Sequence, residues 1–273
     1  MSASPIAGAA VTWLHRLSLD DTLTTIAEHG LSHVELTSSR PHLQATALDA
    51  FERSRLRRRL RELGLSALSV NPTGLDLNPV SMHSDFRDLT RRLLVEEVHL
   101  AADLGARFVV VSTGRVHGLA PVPTADAVEV LVESYSHLAE AAGRAGVVVA
   151  VESVPYGFVR SSAELAAVVA AIGSPHAKLL YDVSNLFARE DIAAGLESVR
   201  EHLGLVHVSD TRRDRWMHAS PGRGEVDFSY VHAALERIGY SEPTVYELLD
   251  PEHDPSEGYA DDLRRLETAG WSR

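Results

Sequence analysis

Four residues that can bind a metal ion or move a proton stand at or near the ends of strand-like runs. Glu152 lies in VVVAVES, Asp182 in KLLYDVSN, His207 in LVHV and Glu247 in TVYELLD. An imidazole at the end of a buried strand either bonds to a neighbouring group or coordinates a metal. Any one of these residues, taken alone, could simply be hydrogen-bonded to its neighbours and have no functional role. Their coincidence at four strand ends indicates a shared site.

One imidazole and three carboxylates make a hard, oxygen-rich ligand set that suits Mn²⁺, Mg²⁺, Co²⁺ or Zn²⁺. The chain has no cysteine, which excludes thiolate ligands, disulfides and a cysteine nucleophile. Its single lysine, Lys178, precedes Asp182 by four residues. In a strand that spacing puts it about 13 Å below the end that carries Asp182, which argues against catalysis through a lysine imine.

Composition narrows the class of protein. The 273 residues are 45% hydrophobic, which is enough to fill one large core, so we expect a single domain over 1–273. The net charge of −12 argues against a long basic surface for nucleic acid or anionic lipid. No run approaches the roughly 20 apolar residues of a membrane span, and MSASPIAGAA lacks the features of a signal peptide. We therefore expect a cytoplasmic protein with a small-molecule substrate.

Strand-like and helix-like segments alternate along the chain. Strands are predicted over 7–14, 32–36, 66–70, 107–114, 147–153, 177–183, 205–208 and 244–249. Helices are predicted over 18–30, 48–64, 85–105, 124–146, 162–173, 193–203, 228–239 and 259–269, and a loop over 72–84. The strands near Val109, Val148 and Leu180 are continuously apolar, as parallel strands buried on both faces are.

Eight alternating units predict an α/β fold, a (β/α)8 TIM barrel. A doubly wound sheet would place GxGxxG after its first strand, and the motif is absent there. Active sites of such barrels lie at the carboxyl ends of the strands. Neighbouring strands are about 4.8 Å apart, so ligands from the fifth to the eighth strand can converge on one ion.

The segments AVES, LLYDVSN, VHVSDTRRDR, PGRGEVDF and TVYELL resemble successive motifs of the xylose isomerase-like TIM barrel family. That family contains sugar isomerases and epimerases, inosose isomerases and dehydratases, hydroxypyruvate isomerases and endonuclease IV. The resemblance covers most of the chain, and VHxxD…PGxGxxDF is its most specific part. It implies that Glu152, Asp182, His207 and Glu247 bind one divalent metal. It also implies that Glu152 and Glu247 flank the substrate carbon on opposite faces.

The chemistry of such a site follows from the residue types. A metal bound to a carbonyl oxygen and an adjacent hydroxyl acidifies the C–H between them and stabilises the enediolate. A carboxylate with one oxygen on the metal keeps the other as a base, so Glu152 would remove a proton and Glu247 would return one. We expect a metal-dependent isomerase or epimerase of a sugar, polyol or inositol-derived ketone. A lyase that expels water or an aglycone from the next carbon shares the first step and stays open.

Two positions depart from the pattern of the epimerases that the chain resembles. Asn185 stands where they usually place a histidine, and Phe158 stands where they place a second acid. An asparagine can donate to a hydroxyl but cannot shuttle a proton. These departures argue against a simple free ketohexose as substrate, and Phe158 indicates a more apolar one.

Other polar residues near predicted strand ends are candidates for the pocket. The predicted substrate-binding residues are His15, Asn71, Asn185 and Arg213, and Glu35 and Ser112 are expected at the rim. His218 and Arg223 could contact the substrate, and His218 could also hold a further metal, as extra histidines do in endonuclease IV. Four histidines are expected at the surface: His29, His42, His202 and His253.

Two other classes of function are weighed. A nuclease of the endonuclease IV kind needs a three-metal cluster and a basic groove, against which the charge and the single four-ligand set both argue. A binding or scaffold protein would keep the fold without the reaction, but it would have no reason to keep four ligands. A homo-oligomer is compatible with the sequence.

Overall fold

A computed structural model describes residues 4–72, 76–250 and 254–273 of the chain. Eight parallel strands pair in sequence order and close into a barrel, which confirms the predicted fold class. The strands are β1 (Ile6–Ala9), β2 (His33–Thr37), β3 (Ser66–Asn71), β4 (Phe108–Ser112), β5 (Val148–Glu152), β6 (Ala177–Asp182), β7 (Leu203–Val208) and β8 (Thr244–Tyr246).

Helices surround the barrel. They are α1 (Leu19–Glu28), α2 (Ala50–Glu62), α3 (Ser84–Leu104), α4 (Thr124–Ala145), α5 (Ser162–Ile172), α6 (Val183–Leu186), α7 (Ile192–Val199), α8 (Phe228–Arg237) and α9 (Pro255–Ala269). Short 3₁₀ helices cover Ala10–Trp13 and Ala45–Ala47. Among the helices of the described ranges, none combines the length and the apolar character needed to cross a membrane.

Several predicted boundaries are wrong because local hydrogen bonds end or begin an element earlier. The first strand stops at Ala9, where a 3₁₀ helix begins. The sixth strand ends at Asp182, whose carboxylate accepts from Asn185 N and so starts α6, a helix that the pattern did not indicate. The last helix begins at Pro255 because the preceding aspartate caps it. The eighth strand ends at Tyr246, so Glu247 follows the strand directly.

Two apolar layers fix the barrel. The outer layer lies between strands and helices, and a smaller inner layer fills the barrel. The inner layer comprises Ala7, Ala9, Leu68, Phe108, Val110, Ala150, Leu180, Leu205 and Val245. Because alternate strand residues face the same side, the residue two positions after an inner apolar residue also points inward. This periodicity puts Glu152, Asp182, His207 and Glu247 directly above the apolar filling.

The loop between β7 and α8 is organised by one carboxylate. Asp210 accepts hydrogen bonds of 2.8–3.0 Å from four backbone N–H groups, those of Thr211, Gly222, Gly224 and Val226. An antiparallel bridge also pairs Asp210 with Ala219. Hydrogen bonds to a charged acceptor are stronger than neutral ones. The first sequence motif, VHxxD, supplies the Asp210 carboxylate. The second motif, PGxGxxDF, supplies three of the backbone N–H groups that this carboxylate binds.

Gly224 has no space for a side chain, and we expect Gly224→Ala to destabilise the protein. A Cβ there would lie 2.2 Å from Thr211 O and 2.3 Å from the Asp210 carboxylate. Overpacking of this kind costs about 1–3 kcal/mol, which urea denaturation would measure. Gly118→Ala is the matched control, because a Cβ there meets nothing within 4 Å. Equal stability of the two variants would show that the Asp210 loop is not fixed in this way.

An isolated acid is buried on α3, far along the chain from the strand ends. Glu97 is buried, and its Oε2 has no hydrogen-bond partner in the part of the chain that is described. Burial raises the pKa of Glu97 from 4.5 to about 7. The native state therefore holds this proton at pH values where the unfolded chain has released it.

The raised pKa of Glu97 predicts a pH-dependent stability. Protonated Glu97 stabilises the fold fully below pH 4.5, and this contribution is lost as the pH rises towards 7. Above pH 7, Glu97→Gln should therefore be more stable than the wild type by at most about 3 kcal/mol, and below pH 4.5 the two should be equal. Thermal unfolding across this range measures the difference, with the exposed Glu28→Gln as control. A pH-independent difference would contradict the assignment.

Candidate metal centre

The ends of β5, β6, β7 and β8 bring four side chains together. One ligand atom from each of Glu152, Asp182, His207 and Glu247 lies within 4.8 Å of the others. Asp182, His207 and Glu247 are buried, and Glu152 is partly exposed. The parallel register places Asp182 beside His207 and His207 beside Val245, two residues before Glu247. The sequence prediction that these four residues converge agrees with this arrangement.

Two buried atoms in this cluster lack a hydrogen-bond partner among the described residues, and they face each other. His207 Nδ1 lies 3.9 Å from Asp182 Oδ2 and 3.6 Å from Glu247 Oε2. A buried polar atom without a partner is costly, so such atoms usually mark a missing ligand or a functional role. Both atoms, together with carboxylate oxygens of Glu152 and Glu247, could coordinate a divalent cation. This set of donor atoms therefore fits a metal site.

The ring of His207 is held from the opposite side by a buried carboxylate. His207 Nε2 lies 3.1 Å from Glu35 Oε2, and Glu35 is 1% exposed. Glu35 also accepts from Ser69 Oγ at 2.7 Å and from Asn71 Nδ2 at 3.0 Å. Because Nε2 donates to Glu35, Nδ1 is the nitrogen left to coordinate an ion. Glu35, which the sequence placed at the rim, instead lies beneath the site and orients the imidazole.

The charges in the cluster perturb one another strongly. Burial and the neighbouring Asp182 and Glu247 raise the pKa of Glu152, and burial also raises the pKa of Asp182. Burial alone would raise the pKa of Glu247 too, but the two histidines nearby hold it below its usual range. Burial opposes the charged form of His207, yet Glu35 and Glu247 outweigh it and raise its pKa. The pKa values of Glu152 and Glu247 are thus displaced in opposite directions.

His218 is the second histidine of the site. Its Nδ1 lies 3.2 Å from Glu247 Oε2 and 3.1 Å from Ser209 Oγ. Burial would lower its pKa, but Asp182 and Glu247 raise it to about 9. His218 lies in the loop that Asp210 anchors and bridges to Leu249 after β8. Because His218 lies in a loop and not at a strand end, the strand pattern does not locate it. The only sequence signal for its position is that it lies between the VHxxD and PGxGxxDF motifs.

Asn185 connects the four-residue cluster to an aromatic side chain. Its Nδ2 donates to Glu152 Oε1 at 2.8 Å and to Ser153 O at 3.2 Å. Its Oδ1 accepts from Trp216 Nε1 at 2.9 Å. Both ends of the amide are therefore engaged within the protein. In this arrangement Asn185 orients Glu152, and a contact between its side chain and substrate stays a prediction.

A cavity of about 1020 Å³ opens over the cluster. His15, Asn71, Asn185 and Ser112 line it, as do Glu152, His218 and Glu247. Arg213 does not line it. Arg213 is exposed, donates from Nη1 to Phe187 O at 3.0 Å and stacks on the Phe187 ring.

Two further residues that the sequence singled out lie away from the cavity wall. Phe158 is buried and does not line the cavity, so it says nothing about the polarity of the substrate. Arg223 forms an ion pair with Asp250 at 3.6 Å in an adjoining groove.

Of the four histidines predicted at the surface, two are partly exposed, His29 and His202. The prediction for His42 is wrong. It is 8% exposed, because its Nε2 bonds to Leu17 O at 3.1 Å. His253 lies outside the described residues.

The fold and the site together define a (β/α)8 barrel with a carboxylate–histidine centre at the carboxyl ends of its strands. The chain belongs to the xylose isomerase-like TIM barrel family, whose model matches residues 23–269. This membership confirms the resemblance drawn from the motifs.

Individual proteins similar to this chain carry epimerase names. It is 26% identical to an L-ribulose 3-epimerase from Mesorhizobium japonicum over 86% of this chain and 76% of that protein. It is 25% identical to L-ribulose-5-phosphate 3-epimerase UlaE of Escherichia coli O157:H7 over 88% of this chain and 83% of that protein. The solved structure of the 3-keto-D-glucoside 4-epimerase YcjR from E. coli superposes with a TM-score of 0.82 at 20% identity, covering 97% of this chain and 99% of that one.

The role of Glu35 can be measured through metal binding. We expect Glu35→Gln to weaken the affinity for Mn²⁺ or Co²⁺ by about 10- to 100-fold, because the ring of His207 loses its anionic partner. Calorimetric titration of the protein stripped with a chelator gives this affinity, and circular dichroism checks the fold. Ser69→Ala is the control, since it removes a bond to the same carboxylate without touching His207. An unchanged affinity in Glu35→Gln would refute the positioning role.

Proposed function

We propose that this protein is a divalent-metal-dependent epimerase or isomerase that removes a proton next to the carbonyl of a sugar or a related ketone. One observation carries the proposal. Glu152 and Glu247 belong to the same four-residue cluster, and their pKa values are displaced in opposite directions. Pairs of carboxylates whose environments separate their pKa values in this way are typical of acid–base catalysis.

The relatives support this proposal at the level of the enzyme class. Two proteins similar over most of their length are named as 3-epimerases of L-ribulose or its 5-phosphate. Epimerisation next to a carbonyl requires one group to take a proton and another to return one. The two glutamates of this site suit those two tasks.

In the proposed site the cation is held by Glu152, Asp182, His207 and Glu247. The chemistry supplied by a divalent ion bound there would be polarisation of a carbonyl and an adjacent hydroxyl oxygen, which would stabilise the negative charge left by the C–H proton. The cluster offers the oxygen-rich set that Mn²⁺, Co²⁺, Zn²⁺ or Mg²⁺ accepts. Glu35 holds the ring of His207 from below, and the loop that Asp210 anchors carries His218, which lies 3.2 Å from Glu247 Oε2.

Proton transfer is assigned to the two glutamates. Burial and the neighbouring Asp182 and Glu247 raise the pKa of Glu152, whereas the two histidines hold the pKa of Glu247 below its usual range. One group must take a proton and another must return one, and both carboxylates belong to the same cluster. Which glutamate acts as base depends on the epimer that enters, because each direction of the reaction uses them in opposite order. The sequence-based assignment of Glu152 as base describes one of these directions.

His15, Asn71 and Asn185 are proposed to surround the substrate, and Arg213 would have to move to reach it. A cytoplasmic location and a homo-oligomeric state stay predictions. Nucleic acid is not favoured as a substrate, because the chain carries a net charge of −12. The described ranges also hold one His–carboxylate group of this kind, where a three-metal nuclease needs more ligands.

A lyase on the same site is the second candidate. The cavity extends beyond the space that a monosaccharide fills, which leaves room for a departing group. Both reactions begin with the same proton removal. They differ in the formula of the product, which an epimerase or isomerase conserves and a lyase does not.

The proposal predicts metal-dependent exchange of substrate hydrogen with solvent. In D2O with Mn²⁺ or Co²⁺, L-ribulose, D-psicose or a 3-ketoglucoside should acquire deuterium at the carbon next to the carbonyl, as read by NMR. Glu152→Gln and Glu247→Gln should each lower the rate by about 10²- to 10⁴-fold, because each removes one proton-transfer group. Chelation should abolish exchange, and added metal should restore it.

Glu28→Gln, which alters an exposed acid on α1, is the matched control and should leave the exchange rate unchanged. Elemental analysis of the same samples should give about one divalent ion per chain. Exchange that survives both chelation and loss of the two glutamates would reject the proposal. A product of altered formula would replace the epimerase with the lyase.

A further inference from the structure

We propose that the cavity contains a separate subsite for a planar apolar group joined to the sugar, formed by Tyr156, Trp216 and Leu249. The ligand class that this subsite takes is an aryl glycoside, with its sugar over the metal cluster and its aryl group on this apolar wall. The position of the sugar rests on the proposed function, whereas the apolar wall is a feature of the cavity itself.

The wall is formed by large apolar side chains that are left in contact with water. Tyr156 is 50% exposed, Trp216 49% and Leu249 41%, and all three line the same cavity. Single exposed hydrophobic residues are common on protein surfaces, but several that converge in one concavity indicate a binding site. The smaller Val154 and Leu248 extend the same wall.

Trp216 is fixed before any ligand arrives. Its Nε1 donates to Asn185 Oδ1 at 2.9 Å. Its ring packs edge-to-face with His218, at 5.6 Å between centroids, and with Tyr156 at 6.1 Å. A side chain that is already ordered loses little conformational entropy on binding, which favours affinity for a flat partner.

Hydrogen bonding separates the wall from the rest of the cavity. The Trp216 N–H and the Asn185 amide, which could otherwise bind hydroxyls, are bonded to each other. Polar side chains line the cavity elsewhere, including Ser112, Asn71 and His15. An aryl group on the wall needs no hydrogen-bond partner, whereas the hydroxyls of a second sugar ring would find the Trp216 N–H and the Asn185 amide already engaged.

Size also favours a ligand larger than a free ketose. Cavities of about 300–1000 Å³ bind drug-sized molecules, and this cavity measures about 1020 Å³. A monosaccharide held at the metal cluster would leave the apolar wall in water. The bond from Asn185 to Glu152 Oε1 places Trp216 one side chain away from the cluster, so a single glycoside can contact both.

Binding of unreactive glucosides tests the subsite without any turnover. Phenyl β-D-glucopyranoside, methyl β-D-glucopyranoside and methyl β-cellobioside would be titrated into the full-length protein in Mg²⁺ buffer by calorimetry. The phenyl glucoside should bind about tenfold more tightly than the methyl glucoside, because its ring is removed from water against the wall. It should also change the emission of Trp216, since the other two tryptophans, Trp13 and Trp271, are buried.

Variants assign the effect to the wall. Tyr156→Ala should reduce the advantage of the phenyl glucoside to about threefold or less, and Trp216→Phe, which keeps an aromatic face, should retain most of it. Phe51→Ala is the matched control, because Phe51 is an exposed aromatic residue that does not line the cavity. Circular dichroism of each variant excludes unfolding as the cause.

Three results would overturn the subsite. They are equal affinities for the phenyl and methyl glucosides, no detectable binding of the phenyl glucoside, or methyl β-cellobioside binding as tightly as the phenyl glucoside. These glucosides have no carbonyl and do not react, so the outcome is independent of the deuterium exchange. If exchange fails while phenyl binding holds, the epimerase proposal falls and the subsite stands; the reverse result leaves the epimerase and removes the subsite.

Discussion

The repulsion among three carboxylates at the top of an apolar barrel is the constraint on which the site depends. Glu152, Asp182 and Glu247 are forced inward by the two-residue period of their strands, above a filling that offers them no hydrogen bonds. Withdrawal from water opposes their ionisation, and their mutual charge opposes it further. The histidines nearby relieve part of this cost when protonated, and a divalent cation in the proposed site would relieve more by binding all three carboxylates at once. The barrel is therefore arranged to hold a positive charge at one point.

Two buried acids outside the cluster keep this arrangement rigid. Glu35 connects β2 and β3 to the ring of His207 on β7 and so fixes Nδ1 as the nitrogen that faces Asp182 and Glu247. Asp210 gathers the backbone of the following loop, which carries Trp216 and His218 to the cavity. Each acid satisfies its own oxygens through several donors, as a buried carboxylate must. The supporting bonds thus join β2, β3 and β7 to one another and hold the loop that follows β7.

The sequence predicted the barrel and the four converging residues because both follow from local periodicity. Apolar alternation locates strands, and an acid or imidazole at a strand end identifies the functional face. Residues that depend on contacts between distant segments were not located in this way. The bond between Glu35 and His207 spans 172 positions, so Glu35 was placed at the rim. The cavity-lining role of Trp216 was not foreseen, and Arg213 was placed in the pocket, because the motifs around Asp210 do not show which side chains of the loop between them face the cavity.

The Asp210 loop has a consequence for how this scaffold changes its specificity. The bridge between Asp210 and Ala219 and the bonds from Asp210 to Gly222 and Gly224 bring both ends of the segment 211–221 to one anchor. The segment is therefore a loop with both ends fixed at Asp210, and its middle residues face the cavity. The hydrogen bonds at its two ends do not depend on which side chains stand in the middle. Grafting a different tip between the same two ends would alter the wall beside the metal cluster and leave the barrel unchanged. Selectivity in this scaffold can therefore be exchanged separately from its chemistry as long as the new tip keeps His218, which lies 3.2 Å from Glu247 Oε2.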